Sequence, residues 1–435
     1  MKRSRRLIIT TAILAVVVIS TFAAIYISGN SFGGVLGINK ADTQVMKEET
    51  VPVSQQESSK QQEGSTVQDQ EQSTSNDGNI TEEQSGTIEQ TEEKKPAELE
   101  KVKVKAVYLT GVSAGSTKTL DKYIDIINRT ELNAVVIDIK DNGVVNYPSA
   151  VPAVVEYGLF VKYFDPEKVI RKLHDNNIYV IARLVCFRDD GLAMKNTDLA
   201  IKRTDGTIWK ENKKKNTGAW TNPYLEEVWQ YNIDIAKEAI SKGFDEVQFD
   251  YVRFPTAKKS EVNYGENAQT KVDAICNFLK LASQELHDAG AQVSADVFGI
   301  IAESKSDGEN LGQDLERIGL DIDGISPMVY PSHYANGQEV NGVAFPKPDL
   351  DPYGVVYQTL LKTKDRLSKI PEYKAVIRPY LQDFTATWIG KGNYQTYGTE
   401  QVRQQIKAVY DAGYEEWILW DSSNTYTVDA FEKEE

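Results

Sequence analysis

Two aspartates, Asp250 and Asp296, each sit in a short run where apolar and polar residues alternate: Val247-Gln-Phe-Asp250 and Val293-Ser-Ala-Asp-Val297. A period of two describes a strand with unlike faces, so Gln248 and Asp250 share the polar face of one strand, and Ser294 and Asp296 that of another. Pro255 has no N–H and must lie outside any ladder, which leaves the Asp250 carboxylate at the C-terminal tip of its strand. The same alternation puts Asp138 and Lys140 in the polar phase of a third run, with Asp141 next, and Ser326, Met328 and Tyr330 in that of a fourth. Other strand ends supply Arg183, Arg378, Gln382, Asp383 and Asp421, while adjoining loops add Arg253 and His333. Tyr251, Tyr330, Tyr380 and Trp420 bring aromatic faces to the same set. Aromatic rings stack on the C–H faces of sugars, and two carboxyl groups acting as acid and base can cleave a glycosidic bond. Repulsion between two such acids is expected to raise the pKa of one of them.

The elements that must hold these groups read as a repeating β-α pattern. Strand-like runs occupy Val104–Leu109, Ala134–Ile139, Tyr179–Val185, Glu246–Asp250, Gln292–Phe298, Gly324–Tyr330, Ala375–Tyr380 and Trp417–Trp420. Helical patterns separate most of them, at Thr117–Arg129, Pro166–Asn176, Leu225–Lys242, Ala268–Ala289, Leu311–Ile318, Tyr353–Ser368 and Thr399–Ala412, and Gly243, Gly290 and Gly413 stand where helices stop before the next strand. Eight strands alternating with helices predict an α/β fold, a (β/α)8 TIM barrel over residues 101–435, whose chemistry belongs at the C-terminal strand ends. An open doubly wound sheet would use the same units, but no glycine-rich fingerprint follows the first strand. Long insertions after the third strand (188–222) and the sixth (331–351) are expected to shape a substrate cleft.

Charge divides the chain. The net charge is −15, and no basic stripe is available to follow a phosphate backbone, so nucleic acid is not an expected partner. Residues 1–40 carry five bases and no acid, whereas residues 41–100 carry 15 acids and four bases. Four basic residues precede an uncharged apolar run of 21 residues, Leu7–Ile27. That length suits a transmembrane anchor (1–28), and the positive-inside rule places the rest of the chain outside the cytoplasm. It would be a single-pass membrane protein with an extracellular domain, or a secreted one if the segment is cleaved. Residues 29–100 are rich in Gln, Glu, Ser and Thr, and no aromatic residue occurs between Phe32 and Tyr108. Such a stretch is expected to be a disordered tether. Two cysteines, Cys186 and Cys276, and three histidines are too few for a disulfide framework or a Cys/His metal site. Neither a metal nor a cofactor is expected.

The run Phe249-Asp-Tyr-Val-Arg-Phe-Pro255, with Val136-Ile-Asp-Ile-Lys-Asp141 before it and Ser326-Pro-Met-Val-Tyr-Pro-Ser-His-Tyr334 after it, resembles the bacterial "putative glycosyl hydrolase domain" family. The resemblance spans roughly Val102 to Asp421. It implies a TIM barrel, typically exported and membrane-tethered, and a polysaccharide or oligosaccharide substrate. Distantly similar barrels of the α-amylase type keep a nucleophilic Asp at the end of strand four, a general acid after strand five and a further Asp after strand seven. Carried over, Asp250 would be the nucleophile, or the base of an inverting enzyme. Asp296 would be the acid/base and Asp383 a stabiliser. Those enzymes have Glu on strand five, so Glu303 in the following loop rivals Asp296. The expectation is a membrane-anchored extracellular glycoside hydrolase of cell-wall or surface polysaccharide. A catalytically silent glycan-binding or envelope scaffold protein on the same fold is the alternative.

Overall fold

A computed structural model describes residues 102–433. Eight strand positions run parallel: β1 (Lys105–Leu109), β2 (Ala134–Asp141), β3 (Tyr179–Val185), β4 (Glu246–Asp250), β5 (Gln292–Phe298), β6 (Gly324–Met328), β7 (Val376–Ile377 with Tyr380–Gln382) and β8 (Trp417–Trp420). Neighbours pair in chain order, and β8 pairs with β1 (Lys105 opposite Trp417), so the sheet closes into a barrel. The expected transmembrane segment (1–28) and tether (29–100) lie outside the described residues. Among the described residues, no helix is long and apolar enough to cross a membrane.

Each strand but β8 feeds a helix that packs back on the sheet. Thr117–Ile127, Pro166–His174, Glu226–Ser241, Lys271–Asp288, Pro352–Leu367 and Thr399–Asp411 agree with the expected helices to within a few residues at the ends. Between β5 and β6 a single helix over 311–318 was expected, but two form, Lys305–Leu311 and Leu315–Ile318. Gly312 divides them at φ +80°, and a Cβ there would lie 2.8 Å from the Lys271 carbonyl oxygen. The left-handed turn and the tight approach both require glycine.

Alternation sorts the side chains. Val135, Ile137, Val247, Phe249, Val293, Ala295 and Val297 pack outward under the helices, in one apolar layer. Val104, Ala106, Tyr108, Ala134, Val136, Ile181, Tyr330, Tyr380 and Ile418 fill the barrel interior. On the outer face of β4, the Phe278 ring meets Phe249 and Phe187 edge-on, each at 5.3 Å between centroids. Such pairs add about 1 kcal/mol each beyond burial, which locks the helix onto the strand bearing Asp250.

Both predicted insertions contain hairpins: Lys210–Asn212 with Thr217–Ala219, and Gln338–Val340 with Val343–Phe345. Asn341 and Gly342 link the latter pair with φ of 51° and 80°, the two positive angles of a tight hairpin turn. Asn142 and Gly143 do the same after β2, folding Val144–Val145 back against its end.

Candidate active site

Arg183, near the end of β3, is the hub of the barrel's interior. Its Nη1 donates to Asp138 Oδ1 from β2 at 2.5 Å, and its Nε donates to Asp250 Oδ2 from β4 at 3.0 Å. Nη2 makes a further short bond to the same Asp250 oxygen. Asp296 Oδ2, from β5, lies 3.9 Å from Nε. Register explains the convergence: Asp138 is opposite Arg183, and Gln248, two residues before Asp250, is opposite both Arg183 and Ser294. All four side chains are buried. Because Asp250 and Asp296 approach the same Nε, their nearest oxygens cannot be more than about 7 Å apart, within reach of the 5–5.5 Å carboxyl spacing of a retaining glycosidase.

The acids sit in different surroundings. Asp296 is buried to 1%, and its Oδ1 has no hydrogen-bond partner among the described residues. Burial, reinforced by the negative charge of Asp250, pushes its pKa well above the usual carboxylate range, which favours its protonated form. Burial also raises Asp138 to about 6, against the opposing pull of Arg183. Asp250 is differently placed: Arg183 holds one oxygen, and the Tyr251 N–H donates to the other at 2.6 Å. That last bond comes with φ +50° at Tyr251, a left-handed conformation costly for a non-glycine residue.

An aromatic wall completes the interior. Tyr108, which sequence periodicity did not single out, donates a short hydrogen bond to Asp138 and stacks on Trp420 at 3.9 Å. The Arg183 guanidinium lies over Trp420, 5.1 Å from its centroid. The signal for Tyr108 was present in β1, where it shares a phase with Val104 and Ala106, but it stands in an apolar run without a charged neighbour. Tyr330 meets Phe384 and His333 edge-on and feels the charges of Asp296 and Asp250, while Tyr380 donates to Gln248 at 2.6 Å. Phe384 is a second aromatic that the strand pattern did not reveal. Half-buried His333 is depressed to about 4 by burial, so its ring is neutral at ordinary pH.

Two expected mouth residues are elsewhere. Lys140 does not face the barrel interior: it is fully buried on the outer side, paired with Asp189 at 2.6 Å and donating to Asn232 at 2.9 Å. A register shift between Asp138 and Lys140 breaks the alternation there. With the phase reset, partly buried Asp141 senses Arg183 and Asp250 instead. Arg378 is also displaced from the C-terminal mouth. Its long side chain reaches Glu246, the first residue of β4, at 2.8 Å, and Glu416, just before β8, at 2.9 Å. It closes the opposite end of the barrel.

Gln382, Asp383 and Asp421 stand at strand tips as expected, but each holds a loop. Gln382 accepts from the Ser332 N–H and donates to Asp349; Asp421 accepts from the Ser423 and Thr425 N–H groups. Asp383 accepts from both the N–H and the hydroxyl of Thr427, each at 2.7 Å. Glu303 accepts from the Asn341 N–H at 3.2 Å, and its charged neighbours are Lys362, Arg366 and Glu339 rather than Arg183 or Asp250.

Burial lifts Asp383 to about 6 despite its hydrogen bonds from Thr427, which makes stability depend on pH. Its folded pKa exceeds the unfolded value of about 3.9, so its contribution is present at low pH and lost as pH rises through about 6. Asp383→Asn should match the native chain near pH 4.5 and exceed it at pH 8 by on the order of 2 kcal/mol, since an amide can still serve both Thr427 groups. Urea denaturation at the two pH values checks this, and a pH-independent difference would refute it.

With this geometry in view, residues 106–426 match the family described as "putative glycosyl hydrolase domain". The chain belongs to that family. No curated protein matches the chain. Among solved structures, a hypothetical protein from Ruminiclostridium thermocellum ATCC 27405 is 45% identical, covering 44% of this chain and 97% of its own, with a TM-score of 0.41. The PgaB (BpsB) glycoside hydrolase domain from Bordetella bronchiseptica is 14% identical, covering 73% of this chain and 94% of its own, with a TM-score of 0.53. The second is a likeness of fold. This family member thus shares a barrel architecture with a glycoside hydrolase domain, and its buried acids cluster at the C-terminal strand ends.

Proposed function

We propose that this family member is a glycoside hydrolase working by double displacement, with Asp250 as nucleophile and Asp296 as acid/base. The observation that carries the reading is the contrast between two acids on neighbouring strands. Asp250 is paired with Arg183, while Asp296 is buried, 3.9 Å from the Arg183 Nε, in surroundings that favour its protonated form. An anionic nucleophile beside a neutral acid is the arrangement that glycosidic cleavage uses, and environments that push two acids apart assign their roles. Asp296 would protonate the leaving oxygen as Asp250 attacks the anomeric carbon, and then draw a proton from the water that releases the sugar. Tyr108, Trp420, Tyr330 and Phe384 would supply stacking faces. The polysaccharide is extracellular in this reading, of cell wall or surface, because the basic N-terminus before the apolar run Leu7–Ile27 favours an anchor with the barrel outside.

A second reading rests on the occupancy of Asp250, whose two oxygens already take donors from Arg183 and the Tyr251 N–H. A barrel that binds glycan without cleaving it would tolerate that.

Reducing-sugar release by the full-length chain on a panel of bacterial cell-wall and surface glycans decides between them. Asp296→Asn should lower kcat by about 10²-fold or more and abolish the alkaline limb of the pH profile, where the native acid loses its proton. Saccharide binding with no turnover by the native chain would favour the binding reading.

A further inference from the structure

Arg253 occupies an unusual position for a buried cation. Its guanidinium lies among three rings, 4.6 Å from the centroid of Phe298, 4.8 Å from Trp220 and 5.2 Å from Tyr251, and the residue is 6% exposed. Phe298 ends β5 and Tyr251 follows β4, so this cage stands directly beyond the tips that carry Asp296 and Asp250. One hydrogen bond holds it, from Nη1 to the Phe254 carbonyl at 3.0 Å; Nε and Nη2 have no protein acceptor among the described residues. The carboxylates it senses are engaged elsewhere, Glu211 with Arg188 at 3.4 Å and Asp250 with Arg183.

Enclosing a guanidinium without a carboxylate is costly, and stacking on rings offsets only part of that cost. Burial accordingly draws its pKa below the usual arginine value. The two idle nitrogens form one edge of a planar fork, the shape that pairs with both oxygens of a carboxylate. A neutral sugar would leave this edge with weaker acceptors. The surrounding acids Asp138, Asp141 and Asp250 would otherwise repel an anionic ligand, so a cation at the rim changes which glycans can enter.

We propose that Arg253 is a specificity-determining residue that receives the carboxylate of an acidic sugar, so that the glycan held beside Asp250 and Asp296 is anionic. This deepens the hydrolase reading and rests on it for the site, but its test needs only binding. The carboxylate could be the C6 group of a hexuronic acid or the lactyl group of muramic acid. Two probes distinguish them: a hexuronate tetramer and a peptide-free tetramer of alternating N-acetylglucosamine and N-acetylmuramic acid, each beside its carboxyl-reduced neutral counterpart.

Calorimetric titration uses the full-length chain in an Asp296→Asn background, which preserves the Asp250–Arg183 pair and slows consumption of the probes. At least one charged probe should bind about tenfold or more tighter than its reduced form, and which one does so identifies the source. Arg253→Met should collapse that preference to less than about threefold, and Arg253→Lys, which keeps the charge without the fork, should fall between. If Arg253→Met does not fold, Arg253→Lys decides instead, and an undiminished preference there overturns the proposal. It is equally overturned if neither charged probe is preferred, if none binds, or if the preference survives Arg253→Met. Hydrolysis of neutral glycans without this preference would remove the proposal and leave the hydrolase standing. Preference through Arg253 without turnover of any glycan would do the reverse.

Discussion

Asp250→Asn should reduce kcat/KM on any productive glycan by about 10²- to 10⁴-fold, the scale for removing a catalytic carboxylate. The substitution is isosteric, but it also disturbs a satisfied pair. Both Asp250 oxygens accept, one from Arg183 and the other from the Tyr251 N–H. An amide can offer an oxygen to only one of them, so a donor faces a donor at the other. That conflict should cost about 1–3 kcal/mol of stability. Activity must therefore be compared well below the variant's Tm. A retaining enzyme gives a second readout: Asp250→Gly with added azide should regain turnover and yield a glycosyl azide, the small anion taking the nucleophile's place. An inverting enzyme would show no such product. Native-like activity in Asp250→Asn would remove strand four from the chemistry.

Arg183→Met is expected to give the largest loss of stability, about 3–5 kcal/mol at neutral pH, because it leaves buried charges without their partner. Asp138 and Asp250 each lose a direct ion pair, and Asp296 loses the nearest cation. The sign of the pH dependence follows from Asp138 and Asp296, whose folded pKa values already lie above the ordinary range and must rise further without the guanidinium. A raised folded pKa stabilises below the unfolded value and loses that stabilisation as pH climbs through the folded one. The deficit should therefore be smallest near pH 4.5 and grow toward pH 8, as measured by denaturant midpoints. A deficit independent of pH would mean that packing against Trp420 and Tyr108, rather than charge, is what Arg183 contributes.

Legibility in the sequence followed the regularity of the backbone. Strands such as Tyr179–Val185 and Gln292–Phe298 could be bounded because parallel strands are apolar runs stopped by turn residues, and alternation put Asp138, Asp250 and Asp296 in one phase, with Arg183 placed only at a strand end. The same rule misplaced Lys140, since a single irregularity in β2 inverts every later side chain and leaves no mark in composition. Arg378 illustrates a different limit. Its phase is inward, but the length of its side chain lets it reach the far end of the barrel. Glu246 and Glu416, which receive it, were invisible as partners because both are remote from it in the chain. The partnership of Arg253 with Trp220 and Phe298 depends on how an insertion folds over two strand tips, which no local period encodes.

The closing seam of the barrel bears on when the site comes into being. Tyr426, in the last stretch of the chain, uses its hydroxyl both to donate to the Tyr108 carbonyl at 2.6 Å and to accept from the Tyr108 N–H at 3.1 Å, across 318 residues of sequence. Until that stretch has emerged and β8 has paired with β1, the first strand keeps one open edge, and the ring beside Asp138 lacks its anchor. Pairings of such long separation form slowly, and an open parallel edge is prone to join another chain. A polypeptide cut before Trp417 should therefore carry every acid of the cluster and still be inert and prone to associate, so that the centre matures only once residues 417–426 are in place.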